Sequence, residues 1–537
     1  MRHLYYRTSN FLLTVLLSFQ WVSRQLDILR GSILDLILHA PEKLGTSLEE
    51  TFGRSLQNIP EEKYYHALLL FQCLVAAIRP LCIDELAGIF STELDLNMAC
   101  NEEDAVLSAC PLITVVDERG SKIVQFSPPS VKDFLTSDRL RTSYPRDISR
   151  YHISPEAAHA ILSRACIKTL LRLDQSMVQT DLERFPLAFY AAQHWVDHTQ
   201  FGDVASRNQD FMERLFDPKK PHFEAWIWIH DIEKGQKQTI GTLSPRPSTR
   251  SASPLYYAAL CGLSGLVGRL ANMHKEDLSD KRGYHGTPLH VASYMGHLET
   301  ARALIDAGAD VNITNGSNTP LHAAFYGGRL EVMRLLLRYG ADVDAKDTLQ
   351  NTLLHQASLD GQLPVVDLLL EYNADTKASN RKGWTPLHRA ALCGQFEVTR
   401  RLLAKGAGVN TQSLDKNTPL HIGSIAGKFQ VVKLLLEHEA DIHIRGEHSW
   451  TPLEAARANG HHKIVELLSK SGDESRRFRL HGKEVMKRRA LLVGITYSAP
   501  FNKWSRLEGS HNDVDHFRGL LISALSHTSL IISSIQR

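Results

Sequence analysis

Thr385-Pro-Leu-His-Arg-Ala-Ala-Leu-Cys-Gly394 opens a unit that recurs along the middle of this 537-residue chain. Its leading phrase returns as Ser253-Pro-Leu-Tyr, Thr287-Pro-Leu-His, Thr319-Pro-Leu-His, Thr352-Leu-Leu-His, Thr418-Pro-Leu-His and Thr451-Pro-Leu-Glu. Successive starts lie 34, 32, 33, 33, 33 and 33 residues apart. Nine residues after each start stands a glycine: Gly262, Gly296, Gly328, Gly361, Gly394, Gly427 and Gly460. Twenty-one residues after the start stand Gly308, Gly340, Asn373, Gly406, Glu439 and Gly472, mostly followed by Ala and Asp.

Each recurring position has a physical job. Thr accepts a hydrogen bond from an orphan N–H at a helix start, and Pro in the first turn loses no bond it could have made. The ninth-position glycine ends a short first helix in a left-handed conformation. A second helix follows, with apolar residues at helical spacing (Val332, Leu335, Leu336; Val431, Leu434, Leu435). The later glycine closes that helix. Asn373 tolerates a left-handed backbone, whereas Glu439 is strained there by roughly 1 kcal/mol, which makes the sixth unit the candidate for fraying. A single unit cannot bury its own apolar face, but stacked units can. The 33-residue period and its phrase resemble the ankyrin repeat, which implies a seven-repeat α-solenoid over 253–472.

The histidines of the phrase do not form a metal array. His290, His322, His355, His388 and His421 sit one per layer, and stacked layers hold them roughly 10 Å apart, too far for ligand distances near 2 Å. The resemblance gives them a structural role instead, bonding across the loop beside Thr287, Thr319, Thr352, Thr385 and Thr418. The residue seven places after each start faces outward in the resembled repeats; here these are Tyr294, Tyr326, Leu359, Leu392 and Ile425. Apolar residues repeated at an outward position mark a contact surface, and Tyr is favoured in binding hot spots. Trp384 and Trp450, each just ahead of its Thr, are expected to flank the same groove.

Composition sets the outer bounds. An apolar content of 43% with 22% charged residues describes an ordinary globular chain of several domains. The net charge of +2 demands neither nucleic acid nor an anionic membrane. Cys73, Cys82, Cys100, Cys110, Cys166, Cys261 and Cys393 form no CxxC pair and are expected to be buried free thiols in a reducing, cytoplasmic setting. The apolar run Phe11–Phe19 is too short for a membrane helix and has no small-x-small cleavage site after it.

Ahead of the repeats, Ser47 and Glu50 form a capping-box pattern. Helices are expected over 59–78, 83–90 and 103–110, then a hairpin of Leu112–Val116 with Ile123–Phe126. That order is the order of a winged-helix module. The stretches Trp21-Val-Ser-Arg-Gln-Leu-Asp, Leu48-Glu-Glu-Thr-Phe, Leu74-Val-Ala-Ala-Ile-Arg-Pro-Leu, Asp84-Glu-Leu-Ala and Ser130-Val-Lys-Asp-Phe-Leu resemble the region following the nucleotide-binding core of fungal NACHT–ankyrin proteins of the signal-transduction ATPase class. No G-x-x-x-x-G-K-[ST] loop occurs in the sequence, so nothing in it can cradle a phosphate that way. DNA binding is disfavoured, because Asn101-Glu-Glu-Asp104 introduces the third helix and the wing offers only Arg119 and Lys122. The aromatic run from Tyr151 to about Gly235 is expected to be core packing rather than a ligand pocket.

Beyond the repeats, Arg489-Ala-Leu-Leu-Val-Gly-Ile-Thr-Tyr497 and Leu507-Glu-Gly-Ser-His-Asn-Asp-Val-Asp515 resemble the opening of a caspase-like (metacaspase) domain. No cysteine follows Cys393, so the nucleophile that such chemistry needs is missing. His511 and His516 belong to the motif rather than to a dyad. The expected architecture is therefore mostly α. Helical and winged-helix modules (1–58, 59–140 and 141–235) lead through a linker (236–252) to the solenoid. A basic linker (473–488) and a short α/β caspase-like segment (489–537) complete it. The expected role is that of a non-catalytic protein-binding scaffold, with no cofactor, metal, nucleic acid, membrane or small-molecule substrate. The alternatives are a regulatory fragment of a caspase-like peptidase and, more weakly, nucleic-acid binding through the winged helix.

Overall fold

The computed structural model describes residues 48–94, 112–118, 120–174, 176–233 and 252–472. Several expected features lie outside those residues: most of segment 1–58, the helix over 103–110, nearly all of the linker 236–252, the basic linker and the caspase-like segment. The described chain is mostly helical and falls into two units. The first runs to Ala390 and resumes over Glu397–Gly408; the second takes Ala391–Phe396 and continues from Val409.

The first unit begins with α1 (Leu48–Gln57), which carries Glu49 and Glu50 in its first turn and Arg54 in its last, complementing the helix dipole. Helix α2 (Tyr64–Ala76) starts later than the expected Ile59, because Pro60 and a 3-10 turn over Glu61–Lys63 come first. A two-residue strand β1 (Leu81–Cys82), too short to read from the sequence, leads into α3 (Ile83–Glu93). Glu85 closes that helix start, accepting from Cys82 N at 3.0 Å and from Arg79 Nη1 at 2.9 Å. The expected hairpin is present as β2 (Ile113–Glu118) and β3 (Ser121–Phe126), in register from Ile113↔Phe126 to Glu118↔Ser121. β1 joins it antiparallel, giving the order β1-β3-β2.

Three short helices, α4 (Val131–Thr136), α5 (Asp138–Ser143) and α6 (Arg146–Ser149), precede α7 (Pro155–Leu170). This long helix packs against α2, α3 and α8 (Ala188–Thr199). Helices α9 (Val204–Arg207), α10 (Gln209–Leu215) and α11 (His222–Ile229) complete the block. The aromatic run is core packing, as expected. Trp195, Phe216 and Trp226 are fully buried, the two indoles lie 5.2 Å apart edge to face, and Trp226 Nε1 donates to Ala192 O at 3.0 Å. Burying one such ring contributes about 2–3 kcal/mol.

The repeats follow as helix pairs. In the first unit they are α12 (Pro254–Leu260) with α13 (Ser264–Met273), α14 (Pro288–Met295) with α15 (Leu298–Asp306), α16 (Pro320–Tyr326) with α17 (Leu330–Arg338), and α18 (Leu353–Asp360) with α19 (Leu363–Glu371). Helices α20 (Pro386–Cys393) and α21 (Phe396–Ala404) form the fifth pair. The second unit holds α22 (Pro419–Ile425), α23 (Phe429–Glu437), α24 (Pro452–Ala458) and a helix over 462–472. Every ninth-position glycine has positive φ, from 69° at Gly328 to 87° at Gly296, so each first helix ends as its sequence requires. Asn373 (φ 60°) and Glu439 (φ 63°) adopt the left-handed backbone that glycine supplies in the neighbouring units.

Two expectations need correction. Gly472, the last described residue, is still helical and does not take the left-handed backbone of the other closing glycines. The cysteines are not uniformly buried. Cys73, Cys166 and Cys261 are, and burial pushes their thiols well above the ordinary range. Cys82, at the start of α3, is half-buried, and Cys393 is exposed. Both Cys261 and Cys393 stand at position eight of their units, and Cys261 is buried where the helical block meets the first repeat, its carbonyl taking a bond from Gln200.

Candidate functional site

The phrase Thr-x-x-His builds its own scaffold. Thr287 Oγ1 lies 2.8 Å from His290 Nδ1 and accepts from His290 N; Thr319 with His322 and Thr418 with His421 repeat the pattern. Thr352 with His355 and Thr385 with His388 keep the hydroxyl-to-ring bond at 2.9 and 2.8 Å. The Thr backbone N–H also donates to Nδ1, so Nδ1 is the acceptor and Nε2 carries the proton. That proton reaches the next loop: His290 donates to Asn318 O at 3.0 Å, His355 to Trp384 O at 2.8 Å, and His421 to Trp450 O at 3.1 Å. Burial lowers the pKa of His322 and His355 to about 4, which keeps them neutral. Nε2 of His322 departs from its fellows, being buried without an acceptor among the described residues.

With positions one, two and five packed inward (Pro320, Leu321 and Ala324 in α16; Leu353, Leu354 and Ala357 in α18), the helical period turns position seven away from the core. In the first unit Tyr326 is 51% exposed, and Tyr294 and Leu359 are half-buried. The ring of His285 stacks on Tyr294 at 4.5 Å and 26°. Partial burial raises the phenol pKa of Tyr326, and the carboxylates of Asp347 and Asp360 raise it further. Trp384 is half-buried, with the Arg389 guanidinium 5.5 Å above its ring. Arg389 is held in turn by Asn351 Oδ1 at 3.2 Å, which also accepts from Asn380 Nδ2 at 2.7 Å. In the second unit, Leu392 is half-buried and Ile425 and Trp450 are 37% and 41% exposed. None of the seven expected contact residues is sealed beneath the chain's own helices.

A joint that sequence reasoning missed lies at the other edge of the first unit. Where the next five units place His, the first has Tyr256, followed by Tyr257. Tyr256 Oη donates to Glu233 and accepts from His285 N at 3.2 Å; Tyr257 Oη donates to Asp231 at 3.1 Å. Glu233 also accepts from Tyr284 N at 2.8 Å. Around them, the Tyr257 ring meets Phe223 and Trp226 at 5.5 and 6.2 Å, Gln200 Nε2 donates to Cys261 O at 3.0 Å, and Arg269 pairs with Glu213 at 2.6 Å. Gly283 permits the approach, because a Cβ there would meet the Tyr256 ring at 2.1 Å. The departure of Ser253-Pro-Leu-Tyr-Tyr257 from the phrase was the available signal.

Among the described residues the hydroxyl-to-imidazole pairs of these repeats are the Thr–His pairs of the phrase, and they are buried. Elsewhere, His159 Nδ1 and His198 Nδ1 lie 2.8 Å apart, with Tyr190 Oη 2.9 Å from His198 Nε2; all three are buried and complete one another's hydrogen bonds. Among the described residues no cluster of His, Cys, Asp and Glu is placed to hold a metal ion, and no helix is long and apolar enough to cross a membrane.

Comparison with known proteins agrees with the repeat geometry. Ankyrin repeats are present. Their family matches in three copies, at residues 255–347, 345–413 and 399–477. The chain is 28% identical over 304 residues to azaphilone pigments biosynthesis cluster protein L of Monascus ruber, covering 52% of this chain and 62% of that protein. Two shorter likenesses are to alpha-latrocrustotoxin-Lt1a of Latrodectus tredecimguttatus (35% over 74 residues, 14% of this chain and 5% of that one) and to ankyrin repeat domain-containing protein 29 of Danio rerio (39% over 71 residues, 13% and 24%). The chain thus spans less than two-thirds of the length of each of these relatives. Ankyrin repeats support a protein–protein interaction role.

Proposed function

We propose that this chain is a non-catalytic recognition scaffold that binds a partner protein through the seventh-position face of its repeats. Tyr294, Tyr326, Leu359 and Trp384 would make the contact of the first unit, and Leu392, Ile425 and Trp450 that of the second. The observation that carries this reading is the exposure of Tyr326. A large aromatic ring is left half in water at a position where the units before and after it also place apolar side chains, and such a surface gains most from a partner. The free thiols and the resemblance to NACHT–ankyrin proteins support a cytoplasmic signalling setting. A role as regulator of a caspase-like peptidase rests on a segment outside the described residues, nucleic-acid binding rests on the 59–140 module, and neither draws support from this surface.

The test compares partner capture by the full chain with capture by its Tyr294→Ala, Tyr326→Ala double variant, both checked for folding by circular dichroism. Loss of capture with an unchanged spectrum supports the face. Equal capture by both proteins overturns it.

A further inference from the structure

The first unit's face has a charge as well as a texture. Asp347 starts the loop ahead of Thr352, and its carboxylate accepts from Leu349 N and Asn351 N, each at 2.8 Å, and from Asn351 Nδ2 at 3.0 Å. Burial works against its ionisation, but these hydrogen bonds outweigh it and hold the carboxyl below the usual range. All of these donors are neutral, so hydrogen bonds fix the charge in place, and the Arg389 guanidinium reaches it only through Asn351. Asp360 ends α18 beside Leu359 and is exposed. It is the only charged residue at the eighth position of any unit; the others hold Cys261, Met295, Gly327, Cys393, Ala426 and Asn459.

Neither carboxylate has an ion-pair partner among the described residues, whereas Asp367, Glu371 and Glu397 each pair with an arginine. Lys346 adjoins Asp347 in sequence but bonds to neither acid in the described structure. Both carboxylates act on the exposed Tyr326 phenol, and Leu349, in the loop that Asp347 opens, is exposed as well. An aromatic face flanked by carboxylates that have no ion-pair partner among the described residues attracts a cation from two sides, through the ring quadrupole and through charge. Beneath this surface, Nε2–H of His322 lacks the loop carbonyl that His290 and His355 engage, so the 346–352 loop is tied to the layer before it by one bond fewer.

We infer that the Tyr326 face, bounded by Asp347 and Asp360, binds a partner segment bearing Arg or Lys side chains among apolar ones. The inference rests on the recognition reading above and names the chemistry of its partner. One cation settles over the Tyr326 ring between the two carboxylates, and apolar neighbours cover Leu349 and Leu359.

The probe is a fluorescein-labelled peptide in which Arg alternates with Gly, Ser and Leu, compared with a counterpart carrying Glu for each Arg. Anisotropy is read on the full chain at low and at physiological salt. The Arg peptide should bind, more weakly as salt rises, and the Glu peptide should not. Asp360→Asn should weaken binding about threefold, and Asp347→Asn with Asp360→Asn about tenfold, while Glu299→Gln on α15 changes nothing. Absence of binding by the Arg peptide, equal binding of both peptides, or full binding by the double carboxamide variant overturns the inference. Tyr326→Ala separates the two levels. If it abolishes binding that the carboxamides leave intact, the face stands and the cationic partner falls. If it too leaves binding intact, the face falls as well.

Discussion

The joint between α12 and the helical block, and the joints between later repeats of the same unit, solve one problem with different chemistry. Between repeats, a neutral His hands one N–H to the carbonyl of the next loop, as His355 does to Trp384. At the first joint the neighbour is not a repeat, and Tyr256 and Tyr257 reach into carboxylates while Phe223 and Trp226 pack behind them. Identical neighbours can be matched by one small, repeated bond. An unlike neighbour requires area, and the aromatic rings supply it.

The comparison breaks most violently at Trp226. Trp226→Ala removes a fully buried ring shared by the helical block and the first repeat, and should cost about 3–5 kcal/mol in urea unfolding, with the first joint lost before the later repeats melt. Gly283→Ala attacks the same joint from the repeat side. Its methyl would overlap the Tyr256 ring, for an expected cost of about 1–3 kcal/mol; stability equal to wild type would mean that the joint is looser than described.

The two kinds of joint should also fail at opposite ends of the pH scale. Burial holds His322 and His355 near pKa 4, below the ordinary 6.5, so their contribution is complete above pH 6.5 and is lost as pH falls from there towards 4. Burial and the adjoining carboxylates raise Tyr256 and Tyr257 above the ordinary 10, so their contribution is complete below pH 10 and is lost as pH rises beyond it. Protease accessibility of the two regions against pH would show the repeats opening first in acid and the first joint opening first in alkali. The smallest effect separates two internal joints. His355→Gln should cost about 1 kcal/mol more than His322→Gln, because only His355 has an acceptor to lose.

The repeats were legible because their signals are local: a cap, a proline, a glycine and a period, each acting within a few residues. Even the left-handed backbone at Glu439 follows from its place in the unit. The first joint was not legible, since Tyr256 meets Glu233 across 23 residues of sequence that carry no shared local pattern. The seventh-position residues could be placed by register alone. The charges beside them could not, because Asp347 becomes a fixed anion through hydrogen bonds from its own loop, and its lack of a direct ion pair shows only once its neighbours are known. The exposure of Cys393 was misjudged for a related reason: an apolar run says that a helix is packed, not which of its faces is.

The outgoing bond that His290, His355 and His421 make has a practical corollary for cutting the gene. A fragment that stops after Glu371 retains His355 but discards Trp384, leaving a sealed imidazole proton with nowhere to go. Subclones of this chain are better ended one loop beyond the last helix wanted, at the carbonyl that receives it.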